Sequence, residues 1–147
     1  MATHTLPRWL PTVNRLVRLL QRLGLQLGTI HVLTVPGRAS GAPRPTPVSP
    51  LTVDGRRYVI AALPQSDWAR NVRAAGTGEL AYGRRRQRVA LSEVTDPKLR
   101  RTVVHAFPTE VPHGVPFFVR LGLVKVGDPD EFAGIADRVA VFELRIP

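Results

Sequence analysis

Residues 30–48 read Ile30-His31-Val32-Leu33-Thr34-Val35-Pro36-Gly37-Arg38-Ala39-Ser40-Gly41-Ala42-Pro43-Arg44-Pro45-Thr46-Pro47-Val48, and this stretch decides the fold. Ile30–Val35 is an apolar, β-branched run and reads as a strand. Pro36–Pro43 is a polar, glycine-bearing connection, and Arg44–Val53 is a second extended run. Pro45, Pro47 and Pro50 cannot donate to a ladder, so the second strand must be an edge strand or be bent. Asp54-Gly55 is a hairpin signal that joins it to a third strand, Arg57–Ala62.

Further along, Ser66-Asp67 marks a helix start, with a capping side chain and an acid in the first turn. This helix runs through Trp68, Asn71 and Val72 and stops near Gly76. Glu79–Tyr82 and Arg88–Val94 form a hairpin about Gly83 and Arg84. Asp96-Pro97 opens a helix to about Ala106, Pro108–Pro116 is a loop, and Val119–Val126 reads as a strand, with a short helix the alternative. Asp128-Pro129 opens another short helix. In Arg138–Ile146, Ala140, Phe142, Leu144 and Ile146 share one face, while Glu143 and Arg145 point the other way.

Upstream, Val13, Leu16, Val17, Leu20 and Leu23 recur at helical spacing, making Thr12–Leu23 an amphipathic helix with its arginines off the apolar stripe. The order is helix, three strands, helix, two strands, helix and a mixed end. It predicts a mainly β protein with peripheral helices, built as an antiparallel barrel rather than a doubly wound parallel sheet. Residues 1–27 are expected to pack on the barrel as a helix, and residues 28–147 to form the barrel, one domain overall.

The chain has 147 residues, 44 % of them apolar, enough for one ordinary core. It has no cysteine, which excludes disulfides, thiolate metal sites and a cysteine nucleophile. His4, His31, His105 and His113 lack metal-ligand spacing, so no metal is expected. No apolar run reaches the roughly 20 residues that cross a bilayer. Met1–Pro11 has neither a long apolar stretch nor a small-residue cleavage site, so a cytoplasmic protein is expected. The basic helix 12–23 allows peripheral membrane contact.

The formal charge of +10 points to an anionic partner. Pro36–Pro43 is where one would bind. Gly37 and Gly41 let backbone N–H groups approach a ligand, Ser40 adds a hydroxyl, and Arg38 and Arg44 add forked donors suited to phosphate or carboxylate. An ordinary solvated hairpin would look much the same. Gly83-Arg84-Arg85-Arg86-Gln87-Arg88 is the densest basic cluster, but it lacks interleaved aromatics and reads as a solvated tip, so no nucleic acid is expected.

Val35–Val48 resembles the T-x-G-R-K-S-G-x-x-R-x-x-P-V signature of the deazaflavin (F420)-dependent nitroreductase family, without a gap. Tyr58-Val59-Ile60-Ala61-Ala62 resembles that family's strand beside the coenzyme, and Asp67–Ala74 resembles its W-x-x-N-L-x-A helix. The resemblance covers about residues 28–95. It implies a split β-barrel of the flavin-reductase and PNPOx-like type. The activity implied is hydride transfer from reduced F420 to an unsaturated, quinone or nitro-type small molecule, with FMN the less favoured cofactor. Carried over by position, Arg38, Ser40, Gly41 and Arg44 hold the coenzyme's phosphate and acidic tail. Thr46, Pro47 and Val48 border the ring with Ala61 and Ala62 against it, and Trp68, Asn71 and Arg73 close the site. Ala39 stands where the family carries lysine, and the C-terminal part lacks its tyrosine-rich stretch.

His113 and Phe117, in the loop Pro112–Phe118, are candidates to meet the substrate, with His113 a conceivable proton donor. Split barrels commonly bury a sheet face against a partner, so a homodimer is expected. The competing readings are a cofactor- or lipid-binding barrel without turnover and, behind it, a basic nucleic-acid-binding protein.

Overall fold

A computed structural model of the protein describes residues 30–147. The helix expected at 12–23 lies outside the described residues. Seven strands form one antiparallel sheet: β1 (His31–Pro36), β2 (Pro43–Val48), β3 (Leu51–Val53), β4 (Arg56–Ala61), β5 (Thr77–Tyr82), β6 (Arg85–Glu93) and β7 (Ala140–Arg145). Their order is β2-β1-β5-β6-β7-β4-β3. The second extended run breaks at Ser49-Pro50 into β2 and β3, which become the two edges of the sheet. Pro43, Pro45 and Pro47 are spaced by two, so their missing N–H groups fall on one side of β2, the side without a partner.

The sheet curls. Val48 of β2 and Val59 of β4 would lie about 24 Å apart in a flat sheet, at the usual strand spacing. Instead they share one core with Leu33, Leu80, Val89 and Phe142. The alternation expected for the last strand holds for Ala140, Phe142 and Leu144, all in this concave core. Ile146 departs from it: it lies beyond β7 and is 67 % exposed. Glu143 is on the opposite face but buried, taking Arg145 at 2.8 Å and Arg56 at 3.6 Å as partners.

Helix α1 (Asp67–Ala75) packs Ala69 and Val72 into the concave core. Gly76 ends it in the left-handed region, at φ 68°. Ser66 occupies the N-cap position as expected, yet its hydroxyl makes no capping bond and is buried without a hydrogen-bond partner among the described residues.

Three further helices cover the outer face of β3, β4 and β7: α2 (Pro97–Glu110), α3 (Val115–Arg120) and α4 (Pro129–Ala133). Phe107, Phe118 and Phe132, one from each, form an aromatic cluster with centroids 5.0–5.5 Å apart. This cluster explains two corrections. Pro108–Pro116 is not a loop: α2 continues through Pro108 to Glu110, because Val104, Phe107 and Val111 are buried there. That burial outweighs one lost helical hydrogen bond. Val119–Val126 is not a strand. With Pro116 in its first turn, the chain forms α3, which packs Phe118 against both Phe107 and Phe132, and Gly122 at φ 75° follows it.

Candidate functional site

Gly37–Ala42 closes on itself. Gly37 N–H donates to Ala42 O at 2.7 Å, and Gly41 N–H donates to Gly37 O at 2.8 Å. Gly41 has φ 75°, a conformation that glycine adopts without penalty. A β-carbon at Gly37 would come within 3.2 Å of Ala42 O and 3.3 Å of Arg44 Nε, so only glycine lets the Arg44 side chain lie flat against the turn. Ser40 Oγ accepts from Ala42 N–H at 3.2 Å, leaving its own O–H to donate outward.

This turn faces the N-terminal end of α1 across an open groove of about 510 Å³. Gly37, Arg38, Ala39, Ser40, Arg44 and Thr46 line one side, and Asp67, Trp68 and Asn71 line the other. Trp68 is fixed from behind by Phe142, at a centroid distance of 6.0 Å. The groove thus joins residues about 30 positions apart, and six of the expected site residues (Arg38, Ser40, Arg44, Thr46, Trp68 and Asn71) meet in it.

The two arginines differ. Arg38 is held: Asn71 Oδ1 accepts its backbone N–H at 3.1 Å and its Nη1 at 2.8 Å, and Asp67 Oδ1 takes Nη2 at 3.1 Å. Its side chain is 33 % exposed, not free in solution. The Arg44 side chain makes no ion pair or hydrogen bond among the described residues, and the residue is exposed. Asp67 did not stand out in the sequence as a site residue. The available signal was its i, i+4 spacing from Asn71, which puts both on one face of α1.

The other candidates lie outside the groove lining. Gly41 borders a separate, smaller cavity on the far side of the turn. Pro47 is exposed on the edge strand. Val48 and Ala61 are sealed in the concave core, and Ala62 in the outer one. Arg73 turns to the end of β6. It meets Glu93 through two hydrogen bonds, donates to Pro64 O at 2.6 Å, and lies 5.7 Å over the Phe142 ring. The hydrogen bond from Arg73 holds the Glu93 carboxyl below its ordinary range, and the same bond raises Arg73. Phe117 is 50 % exposed on α3, while His113 Nε2 approaches Ser49 Oγ at 3.4 Å, just past β2.

The donor set fits a phosphate-bearing coenzyme: an uncompensated arginine, an outward hydroxyl and a glycine cradle for the anion, with Trp68 and Pro45 as flat walls for a ring. A curled seven-stranded antiparallel sheet with such a groove beside one helix is a split barrel of the flavin-reductase and PNPOx-like class. Solved structures bear the fold out. An F420-H2 dependent reductase (FDR-A) matches at TM-score 0.55 and 19 % identity, covering 80 % of this chain and 95 % of that one. A chain described as a domain-swapped dimer matches at 0.54 and 20 %, covering 90 % and 98 %. A protein of the pyridoxinephosphate oxidase family from Clostridium acetobutylicum, related to general stress protein 26 of B. subtilis, matches at 0.50 and 12 %, covering 95 % and 84 %. The chain belongs to the F420H(2)-dependent quinone reductase family, whose model matches residues 12–113. No curated protein matches it. Family membership makes it an F420H2-dependent oxidoreductase with F420 as cofactor.

Proposed function

We propose that the groove between residues 37–46 and α1 holds F420 and that the enzyme reduces a quinone, nitro-type or otherwise unsaturated small molecule there. The observation that carries this is Arg44, a cation without a counter-charge among the described residues, laid against a glycine turn and facing Trp68 across the groove. When bound, the reduced coenzyme supplies a hydride to an electron-poor acceptor. The protein's part is to bind and orient. Arg44 and the Ser40 hydroxyl take the phosphate, and Arg38, held by Asn71, keeps the turn in shape. Thr46, Trp68 and Pro45 border the ring and exclude water from one side.

His113 and Phe117 sit where the chain returns past the end of β2, and they approach the acceptor from that side, His113 carrying the proton. Arg73 supports the site from behind by fixing α1 to β6. We place the barrel in a cytoplasmic homodimer that meets a membrane surface through its basic segment 12–23. Among the described residues no helix is long and apolar enough to cross a membrane.

Titration with oxidised and reduced F420 and with FMN, followed by ring fluorescence, tests the assignment. F420 should bind more tightly than FMN, and the reverse order would sink it.

A further inference from the structure

Four of the seven large apolar side chains exposed among the described residues fall within ten positions: Phe117, Val119, Leu121 and Val126. Single exposed apolar residues are ordinary, but a cluster of them marks a contact surface. This one is held in place from within. Phe118 and Val124 are buried in the outer core, so α3 and the turn after it cannot roll over to hide their neighbours. Phe117 and Leu121 are one helical turn apart and share a side of α3. Val115 and Val119 share another side, and the chain returns there: a β-carbon on Gly127 would collide with the Val115 side chain. Three backbone N–H groups that donate to Glu131 fix residues 125–127, so Val126 is presented at 80 % exposure by an ordered loop.

The same stretch is basic. Residues 112–126 contain His113, Arg120 and Lys125 and no Asp or Glu, and all three are exposed. The acids that follow are engaged: Glu131 accepts the loop N–H groups, and Asp128 accepts the N–H of Glu131. We propose that this surface docks the enzyme on a bilayer carrying anionic lipids. Phe117, Val119, Leu121 and Val126 enter the boundary between headgroups and acyl chains, and Arg120 and Lys125 meet the lipid phosphates. Apolar side chains that project singly from a short helix and a turn suit a fluid interface, where each finds its own depth, better than the fixed face of a folded partner. Arg and Lys stems bury among apolar neighbours while their charges stay at headgroup level. The surface also lies where the chain enters the barrel: His31 pairs with Val48, and Ser49 Oγ is 3.4 Å from His113 Nε2. The basic segment 12–23 therefore leads into the barrel at this end, and two weak contacts tethered together reinforce each other.

The test is flotation of the full-length protein with vesicles of phosphatidylcholine alone, and of equal parts phosphatidylcholine and phosphatidylglycerol, at low and high salt. The wild type should float with the anionic vesicles at low salt and far less with the neutral ones. Leu121→Ser combined with Val126→Ser should weaken partitioning about tenfold. Arg120→Gln combined with Lys125→Gln should weaken it about tenfold at low salt and little at high salt. All four side chains are exposed, so both double variants should melt near the wild type. A wild type that stays in the aqueous phase overturns the proposal. So do variants that float as well as the wild type, in which case segment 12–23 makes the membrane contact alone. If sedimentation finds a wild-type dimer that the double serine variant dissolves, the surface is a subunit contact and the membrane role falls. None of these outcomes bears on the F420 groove.

Discussion

Arg73 and Glu93 meet in two parallel hydrogen bonds, Nε to Oε1 at 2.9 Å and Nη2 to Oε2 at 3.0 Å, tying the last turn of α1 to the end of β6. Both side chains are 29 % exposed, so the pair is partly shielded from solvent. The folded-state pKa of Glu93 is lowered, chiefly by the hydrogen bond from Arg73. Its contribution is therefore complete above the ordinary glutamate range near pH 4.3 and is lost as pH falls through the folded value. Glu93→Gln should cost about 1 kcal/mol at pH 7 and less at pH 3, a difference that urea melts at the two pH values would resolve. An equal cost at both would show that the ion pair adds nothing beyond shape.

Arg44 and Arg38 should separate binding from folding. Arg44→Ala removes the one uncompensated cation of the groove and should weaken F420 by about ten- to a hundredfold, the worth of one charge-assisted hydrogen bond. Because Arg44 has no partner among the described residues, the melting temperature of the free protein should barely move. Arg38→Ala should weaken binding and also destabilise the free protein by about 1–3 kcal/mol, because it strips Asn71 and Asp67 of their guanidinium partner. Titration alongside thermal melts checks both, and equal melting temperatures for the two variants would contradict the assignment.

Gly37→Ala probes the cradle. The new methyl would press on Ala42 O and Arg44 Nε at 3.2 and 3.3 Å. Arg44 is the mobile neighbour, so it should swing away, while the turn's own hydrogen bonds persist. Stability should change by less than about 1 kcal/mol, and F420 affinity should fall roughly fivefold or more. Unchanged affinity would mean that Arg44 binds from a different position.

Glu131 is a device of the loop before α4. Its carboxylate accepts the backbone N–H groups of Gly127 at 2.7 Å and Val126 at 3.0 Å, and that of Lys125 as well. These bonds, that from Gly127 foremost, hold its pKa below the ordinary range, so the loop should be intact at neutral pH and loosen as pH falls through the folded value. Glu131→Gln should speed amide hydrogen exchange at residues 125–127 at pH 7 and leave β4 and β7 protected. Uniform loosening of the whole domain would refute this local role.

The local elements were legible in the amino-acid sequence because their causes are local. Prolines two apart made 43–48 an edge strand, Asp54-Gly55 turned the β3–β4 hairpin, and Asp96-Pro97 and Asp128-Pro129 opened helices, with Asp96 capping Leu99 N and Asp128 capping Glu131 N. The glycine–arginine turn and the helix bearing Trp68 and Asn71 were also visible, since their spacing is itself the signal. What the tertiary structure decided was every partner. Of the apolar run 119–126 only Val119 and Arg120 join a helix, the end of α3, which the packing of Phe118 against Phe107 and Phe132 selects over a strand, and 121–126 form turns. Arg38, Arg44 and Arg73 are alike in sequence. Curling of the sheet brings α1 against the turn and hands Arg38 to Asp67 and Asn71 and Arg73 to Glu93, leaving Arg44 without a counter-charge among the described residues. Which arginine can serve a ligand is fixed by where the carboxylates fall in space, because an ion pair depends on distance between atoms and not on separation along the chain.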